Sequence, residues 1–257
     1  MDMKDRHVVV TGGGGGLGKA LCERFAADGA RVTVADINAQ AASDVAQAIG
    51  GLAAQADVGV EAEVQAMVRR AVAHYGPVDV FVSNAGIGSQ TDPFTPDAVW
   101  NQEWQVHVMS NLYAVRSVLP SMLERGEGYL VSTASAVALT NQPGTAAYVV
   151  TKHANLALAE WLALTYHERG IRVSCICPLG MRTGMLSDQP ADANASGFGA
   201  STIISAEEAA ARVMEGLRAE KFLILTHPQV QTYFQRKAAD HDRWLAGMRR
   251  LYSRMGM

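Results

Sequence analysis

The stretch HVVVTGGGGGLG, residues 7–18, decides the architecture of this chain. Three consecutive valines closed by Thr11 read as a short strand that is apolar on both faces, and such strands belong to parallel sheets covered on both sides. The glycines Gly12 to Gly16 and Gly18 follow at once, and at Leu17 a helical pattern begins that runs to about residue 28. A strand that passes through glycines into a helix suits a pyrophosphate: glycine lets the backbone turn sharply and approach the anion, and the free N–H groups at the helix start attract its charge. Gly12, Gly14, Gly15, Gly16, Leu17 and Gly18 form this candidate cradle. The competing reading of five consecutive glycines is a flexible turn.

The same rhythm continues outward. Candidate strands lie at 7–11, 31–35, 51–56, 78–83, 129–133, 172–177 and 222–226, with helical patterns near 17–28, 39–49, 60–75, 97–125, 145–169 and 205–219. Near-continuous apolar strands separated by helices predict a doubly wound α/β fold of the Rossmann type, a seven-stranded parallel sheet with helices on both faces. No linker or charge run divides the chain, so residues 1–257 are expected to form a single domain. Two segments break the rhythm. Residues 184–202 are rich in Gly, Ala, Ser, Asn and Asp and read as a loop that closes over a substrate, or as a disordered insertion. Residues 228–257 read as an amphipathic helical tail bearing six Lys/Arg and two Asp. Such a tail can dock on its own body, on a neighbouring subunit or, less economically, on a membrane surface.

Composition excludes several classes. The chain is 49% hydrophobic and 18% charged, as a globular protein is, and its net charge of −3 gives no reason to expect a nucleic-acid partner. No apolar run approaches the ~18 residues of a membrane span, and the start MDMKDRHVVV has no apolar signal segment, so a cytoplasmic location is expected. Cys22, Cys175 and Cys177 lack zinc-like spacing, and no metal is expected.

Asp36 ends the second strand, where a carboxylate can accept both hydroxyls of an adenosine ribose and repel a 2′-phosphate. Ile37 and Asn38 follow with no basic residue, which favours NAD over NADP. The alternative for Asp36 is a cap on the next helix. Asp57, followed by Val58, can likewise cap a helix or bond an adenine amino group. Further on, Tyr148 and Lys152 stand one helical turn apart in AAYVVTK. A Lys⁺ about 4 Å from a phenol, at an effective dielectric near 20, is worth roughly 4 kcal/mol, enough to bring a Tyr pKa from ~10 to near neutral. The same spacing also occurs on many helix surfaces without any function.

Together these motifs resemble those of the short-chain dehydrogenase/reductase family over residues 6 to about 226: TGGGGGLG, Asp57-Val58, Asn84-Ala85-Gly86, Asn111, Ser135 and Tyr148-Val-Val-Thr-Lys152 in order. The resemblance implies hydride transfer between a carbinol and a nicotinamide, with Asn111, Ser135, Tyr148 and Lys152 as the catalytic set. Tyr148 is then the base and Ser135 the group that bonds the substrate oxygen. Lys152 holds the nicotinamide ribose and lowers the phenol pKa, and Asn111 anchors a water in a proton relay. Asn84, Ala85 and Gly86 would line the middle of the cofactor, with Pro178 and Thr183 near the nicotinamide. Ser132 is a nearby decoy, able simply to cap a strand end. The family's Pro-Gly is Pro178-Leu179 here, which puts Leu179 against substrate, nicotinamide or sheet.

The expected activity is NAD-dependent interconversion of a hydrophobic secondary alcohol, cyclic, terpenoid or aryl-alkyl, and its ketone. Val137, Leu179, Met185 and Leu186, with Ala136, Ala138 and Met181, would form the apolar substrate wall beside Ser135 and Tyr148. Arg182 faces either solvent or an anionic substrate. Other readings are a 3-oxoacyl-carrier-protein or CoA reductase, a steroid or sugar dehydrogenase, and a non-catalytic NAD-sensing protein. The resemblance also implies a homotetramer or homodimer built on the helices that carry Asn111 and Tyr148.

Overall fold

A computed structural model describes residues 1–182 and 203–254. In chain order it runs β1 (His7–Thr11), α1 (Gly16–Ala27), β2 (Arg31–Asp36), α2 (Ala39–Ile49), β3 (Leu52–Gln55), α3 (Glu61–Tyr75) and β4 (Val80–Ser83). Then come α4 (Asp97–Trp104), a π-helical turn (Gln105–Met109), α5 (Ser110–Arg125), β5 (Gly128–Thr133), α6 (Val137–Thr140), α7 (Ala146–Tyr166) and β6 (Ile171–Ile176). The chain closes with α8 (Ala206–Arg218), β7 (Leu223–Ile224), α9 (Gln229–Ala239) and α10 (His241–Arg254). A two-residue parallel pairing joins Met181–Arg182 to Ile204–Ser205.

All seven strands are parallel in the order β3-β2-β1-β4-β5-β6-β7. β1 lies between β2 and β4, pairing Val8 with both Val32 and Val80. The connections reverse direction there, and this reversal opens a crevice at the carboxyl ends of the strands where ligands of such sheets bind. Alternation along β1 explains its unbroken apolar run. Val8 and Val10 enter a core with Leu21 and Phe25 of α1 and Met214 of α8, whereas Val9 enters the opposite core with Met67 of α3 and Met122 of α5.

The glycine loop closes tightly on itself. Gly12 and Gly16 have φ of 63° and 51°, the left-handed region that favours glycine. A Cβ on Gly18 would lie 2.0 Å from Gly12 O and 2.6 Å from Asn84 Nδ2, so the first turn of α1 packs against its own loop only because that position has no side chain.

The helix predicted over 97–125 is continuous, but the π turn at 105–109 inserts an extra residue and rotates the faces on either side of it. The tail is two helices, separated at Asp240, whose φ of −156° and ψ of 96° are extended. It docks on its own body: Val230 is fully buried in the core of α5 and α7, and Tyr252 is buried too. The strands predicted at 78–83 and 222–226 shorten to four and two residues. The loop expected at 184–202 lies outside the described residues, among which no helix is long and apolar enough to cross a membrane.

Gly18→Ala is expected to cost about 3 kcal/mol of folding stability, the upper range for overpacking. A Cβ on Gly15 meets no atom within 4 Å, so Gly15→Ala is the control and should leave stability within about 0.5 kcal/mol. Urea unfolding of the two variants checks this; equal midpoints would mean that the loop does not close as described.

Candidate active site

The crevice is built from strand ends. Thr11 Oγ1, at the end of β1, accepts the N–H groups of Asn84 and Ala85 at 3.0 and 3.1 Å. The Asn84 side chain donates to Thr11 O at 3.1 Å and accepts from Thr133 Oγ1 at 3.2 Å. The ends of β1, β4 and β5 are thereby tied together beside the glycine loop.

Lys19 N bonds back to Gly15 O, which makes Gly15 the N-cap of α1 and leaves the first N–H groups of that helix without intrahelical partners. Gly14 N and Asn38 N donate to the two oxygens of Asp36, each at 2.9 Å, and this fixes the carboxylate beside the loop with a lone pair left on each oxygen. Asp36 is not the cap of α2. That role belongs to Asn38, which accepts Ala41 N at 3.1 Å. Ile37 next to it is 64% exposed. Asp57 Oδ1 accepts Gly59 N at 2.8 Å, and Glu63 accepts Asp57 N at 2.8 Å, but Asp57 is not the cap of α3, whose N-cap is Val60 with no side-chain bond; Val58 is buried.

Ser135, Tyr148 and Lys152 gather at the end of β5. Ser135 Oγ accepts Val137 N at 3.3 Å and donates to Pro178 O at 3.5 Å. Lys152 is buried, and its Nζ donates to Thr133 O at 2.9 Å. A Cβ built on Gly86 would stand 3.4 Å from that Nζ, which brings the Asn84-Ala85-Gly86 turn against the lysine. Asn111 Nδ2 donates to His107 O, a carbonyl of the π turn, at 2.8 Å, and Asn155 Nδ2 donates to the same oxygen at 3.1 Å. Ser132, the decoy, bonds Asn155 Oδ1 and so links β5 to α7. Val137 is buried, and Leu179 packs on the α5 and α7 core with its N–H 3.4 Å from His227 Nδ1. Thr183, Met185 and Leu186 lie outside the described residues.

The Lys152 Nζ lies 5.5 Å from the Tyr148 ring centroid and donates to Thr133 O. Desolvation raises the phenol pKa, and the Ser135 hydroxyl opposes the rise while the carboxyl of Glu103 adds to it. The lysine itself is lowered to about 8 by burial.

Sequence reasoning missed two groups. His107 meets the Tyr148 ring edge-on, with centroids 5.4 Å apart. Its Nε2 accepts Ile87 N at 3.1 Å, so Nδ1 carries the hydrogen and donates to Thr151 Oγ1 at 2.8 Å, and that hydroxyl passes its own hydrogen to Ala147 O. Burial, reinforced by Lys152, pushes the imidazole down to about 2. Glu103 is fully buried on α4, and neither carboxylate oxygen has a partner in hydrogen-bond geometry among the described residues. Burial raises its pKa against smaller lowering influences from Ser89 and Lys152. Glu103, His107 and Asn111 recur every four residues, and that spacing was the available signal.

The family model described as short chain dehydrogenase matches residues 6–194. The chain belongs to the short-chain dehydrogenase/reductase family. It is thus an oxidoreductase. Over 190 residues it is 36% identical to a 2,5-dichloro-2,5-cyclohexadiene-1,4-diol dehydrogenase of Sphingobium indicum, covering 72% of this chain and 76% of that one. Over 244 residues it is 35% identical to a 1-deoxy-11-beta-hydroxypentalenate dehydrogenase of Streptomyces avermitilis, covering 90% and 88%. A crystal structure of a short chain dehydrogenase/reductase from Burkholderia phymatum in complex with NAD superposes with a TM-score of 0.85 at 25% identity, covering 94% and 96%.

The neutral imidazole of this dehydrogenase makes stability depend on pH. Between its unfolded value of 6.5 and its folded value of about 2, the unfolded chain holds a proton that the folded chain refuses. Stability therefore falls as pH drops below 6.5, by about 1.4 kcal/mol per pH unit from this group alone. Urea unfolding between about pH 4 and 7 should give a shallower slope for His107→Gln than for the parent chain. Identical slopes would show that His107 titrates normally in the fold.

Proposed function

We propose that this chain oxidises a hydrophobic, cyclic secondary alcohol to its ketone with NAD, and reduces the ketone in the reverse direction. The carrying observation is that Ser135, Tyr148 and Lys152 meet at the strand ends beside a glycine loop whose neighbouring carboxylate, Asp36, is held ready for a ribose diol. The residues fit a dinucleotide. The open face at Gly15 and the unpaired N–H groups of α1 suit a pyrophosphate, and an oriented Asp36 accepts two hydroxyls but repels a 2′-phosphate. Ile37 offers an exposed apolar side chain to the adenine. The two cyclic-alcohol dehydrogenases among its relatives and the NAD complex of the structural neighbour support the same reading.

When bound, the nicotinamide supplies the hydride acceptor. As the carbinol C–H bond breaks, the hydroxyl proton passes to Tyr148, and the C=O bond forms from the O–H electron pair. The Ser135 hydroxyl turns from Pro178 O to donate to the substrate oxygen. Lys152, with its pKa brought to about 8, holds a proton that it can exchange near neutral pH. Asn111 and Asn155 fix the His107 carbonyl behind it. Desolvation raises the phenol pKa, so a neighbouring positive charge favours the ionised form of Tyr148.

Tyr148→Phe is expected to lower kcat by about 10²–10⁴ while leaving NAD titration intact. NADH absorbance on a panel of cyclic and aryl-alkyl alcohols measures it; undiminished turnover refutes the base assignment. On the parent chain, kcat/KM with NAD should exceed that with NADP by about tenfold or more, since a 2′-phosphate would meet the Asp36 charge. A preference for NADP would remove the role given to Asp36.

A further inference from the structure

α6 contains only Val137–Thr140 and starts directly after Ser135 and Ala136. Its last carbonyls find no donors within so short a helix. Two of them are taken by side chains 98 and 104 residues further along the chain: Lys237 Nζ of α9 donates to Leu139 O at 2.9 Å, and Trp244 Nε1 of α10 donates to Thr140 O at 3.3 Å. The next residue, Asn141, has φ 74° and ψ 162°, a region that residues with side chains rarely adopt and that persists only where the surroundings fix it. At the other end of α6, Val137 N donates to Ser135 Oγ at 3.3 Å, so the serine hydroxyl is oriented by the first turn of this helix. The two C-terminal helices brace each other through the Tyr233 and Trp244 rings, 6.5 Å apart, and are pinned by Val230 in the core. They lie beyond residue 194, where the match to the family ends.

We propose that the C-terminal helix pair is a positioning device for the active site. Lys237 and Trp244 clamp the strained exit of α6, and α6 in turn sets the direction of the Ser135 hydroxyl and the apolar wall that begins at Val137. Lys237 supplies charge as well as a hydrogen bond, and a cation at the carboxyl end of a helix also complements its dipole. Neither residue touches the reacting atoms. Their effect falls on the alcohol and its orientation, and leaves the glycine loop and Asp36, which would hold the other end of the dinucleotide, untouched. The consequence for turnover rests on the alcohol dehydrogenase reading above; the clamp itself does not.

The test uses the full chain with Lys237→Met, Lys237→Arg and Trp244→Phe, the last of which keeps a ring and removes the donor. Amide hydrogen exchange is measured over residues 135–141 and, as an internal reference, over 12–18, alongside steady-state KM values for the alcohol and for NAD. Lys237→Met and Trp244→Phe should speed exchange in 135–141 by about tenfold without changing 12–18, and raise the alcohol KM about tenfold with the NAD KM unchanged. Lys237→Arg should restore both. Unchanged exchange in 135–141, or an NAD KM that rises as much as the alcohol KM, overturns the proposal. If the parent chain turns over no alcohol, the functional reading fails, and the exchange data still decide whether the clamp exists.

Discussion

One amide holds the crevice open. Asn84 bonds the carbonyl that ends β1 and the hydroxyl that ends β5, while its own backbone, just past the end of β4, donates to Thr11 Oγ1. Parallel strands carry no direct bonds between their ends once the ladder stops, so the place where the sheet changes direction would splay without such a bridge. Thr133 extends the bridge: its hydroxyl bonds Asn84 and its carbonyl receives the Lys152 ammonium. The glycine loop, the turn at Gly86 and the buried lysine are therefore set by a single connected network, and an error in any member moves the rest.

Burying ionisable groups in that network is expensive, and the chain meets the cost differently at each site. His107 remains neutral by giving one nitrogen an N–H donor and the other a hydroxyl acceptor, which satisfies both without a charge. Lys152 loses part of its preference for the charged form and receives a carbonyl. Glu103 is compensated only in part, by Ser89 and Lys152, and burial still raises its pKa. With its proton on, Glu103 leaves Lys152 as the positive group nearest the phenol; with its proton off, it works against Tyr148 ionisation. The three groups share one helix-to-helix seam, so their titrations are linked through space.

The fold was legible because its signals are local and repeated. Each parallel strand must be apolar on both faces, and each shows this over a few residues, as Val8, Val9 and Val10 do. The positions of Ser135, Tyr148 and Lys152 were legible through their spacing, as Asp36 was through its place at a strand end. The illegible features depend on tertiary geometry. Nothing in the sequence near 105–109 announces a π turn, nor that its His107 carbonyl accepts the amides of both Asn111 and Asn155. Four residues at 137–140 are too few for a periodic signal, so α6 is visible only when Lys237 and Trp244 are seen holding its end. The burial of Glu103 likewise depends on what lies opposite it, which no spacing along one helix reveals.

The hydrogen bond of Lys152 to Thr133 O bears on what the Tyr148 and Lys152 pair means. Spacing suggested a charge close enough to the phenol to lower its pKa. In the folded chain the ammonium is committed to Thr133 O, and the phenol, under burial, is a weaker acid than in water. A base with a raised pKa is a better acceptor once ionised, but the ionised form is scarce near neutral pH. Reaching neutrality from ~10 takes roughly 4 kcal/mol of preferential stabilisation of the phenolate, so a positive charge brought beside Tyr148 favours its ionised form. The same desolvation that raises the phenol pKa strengthens the effect of any charge placed next to it.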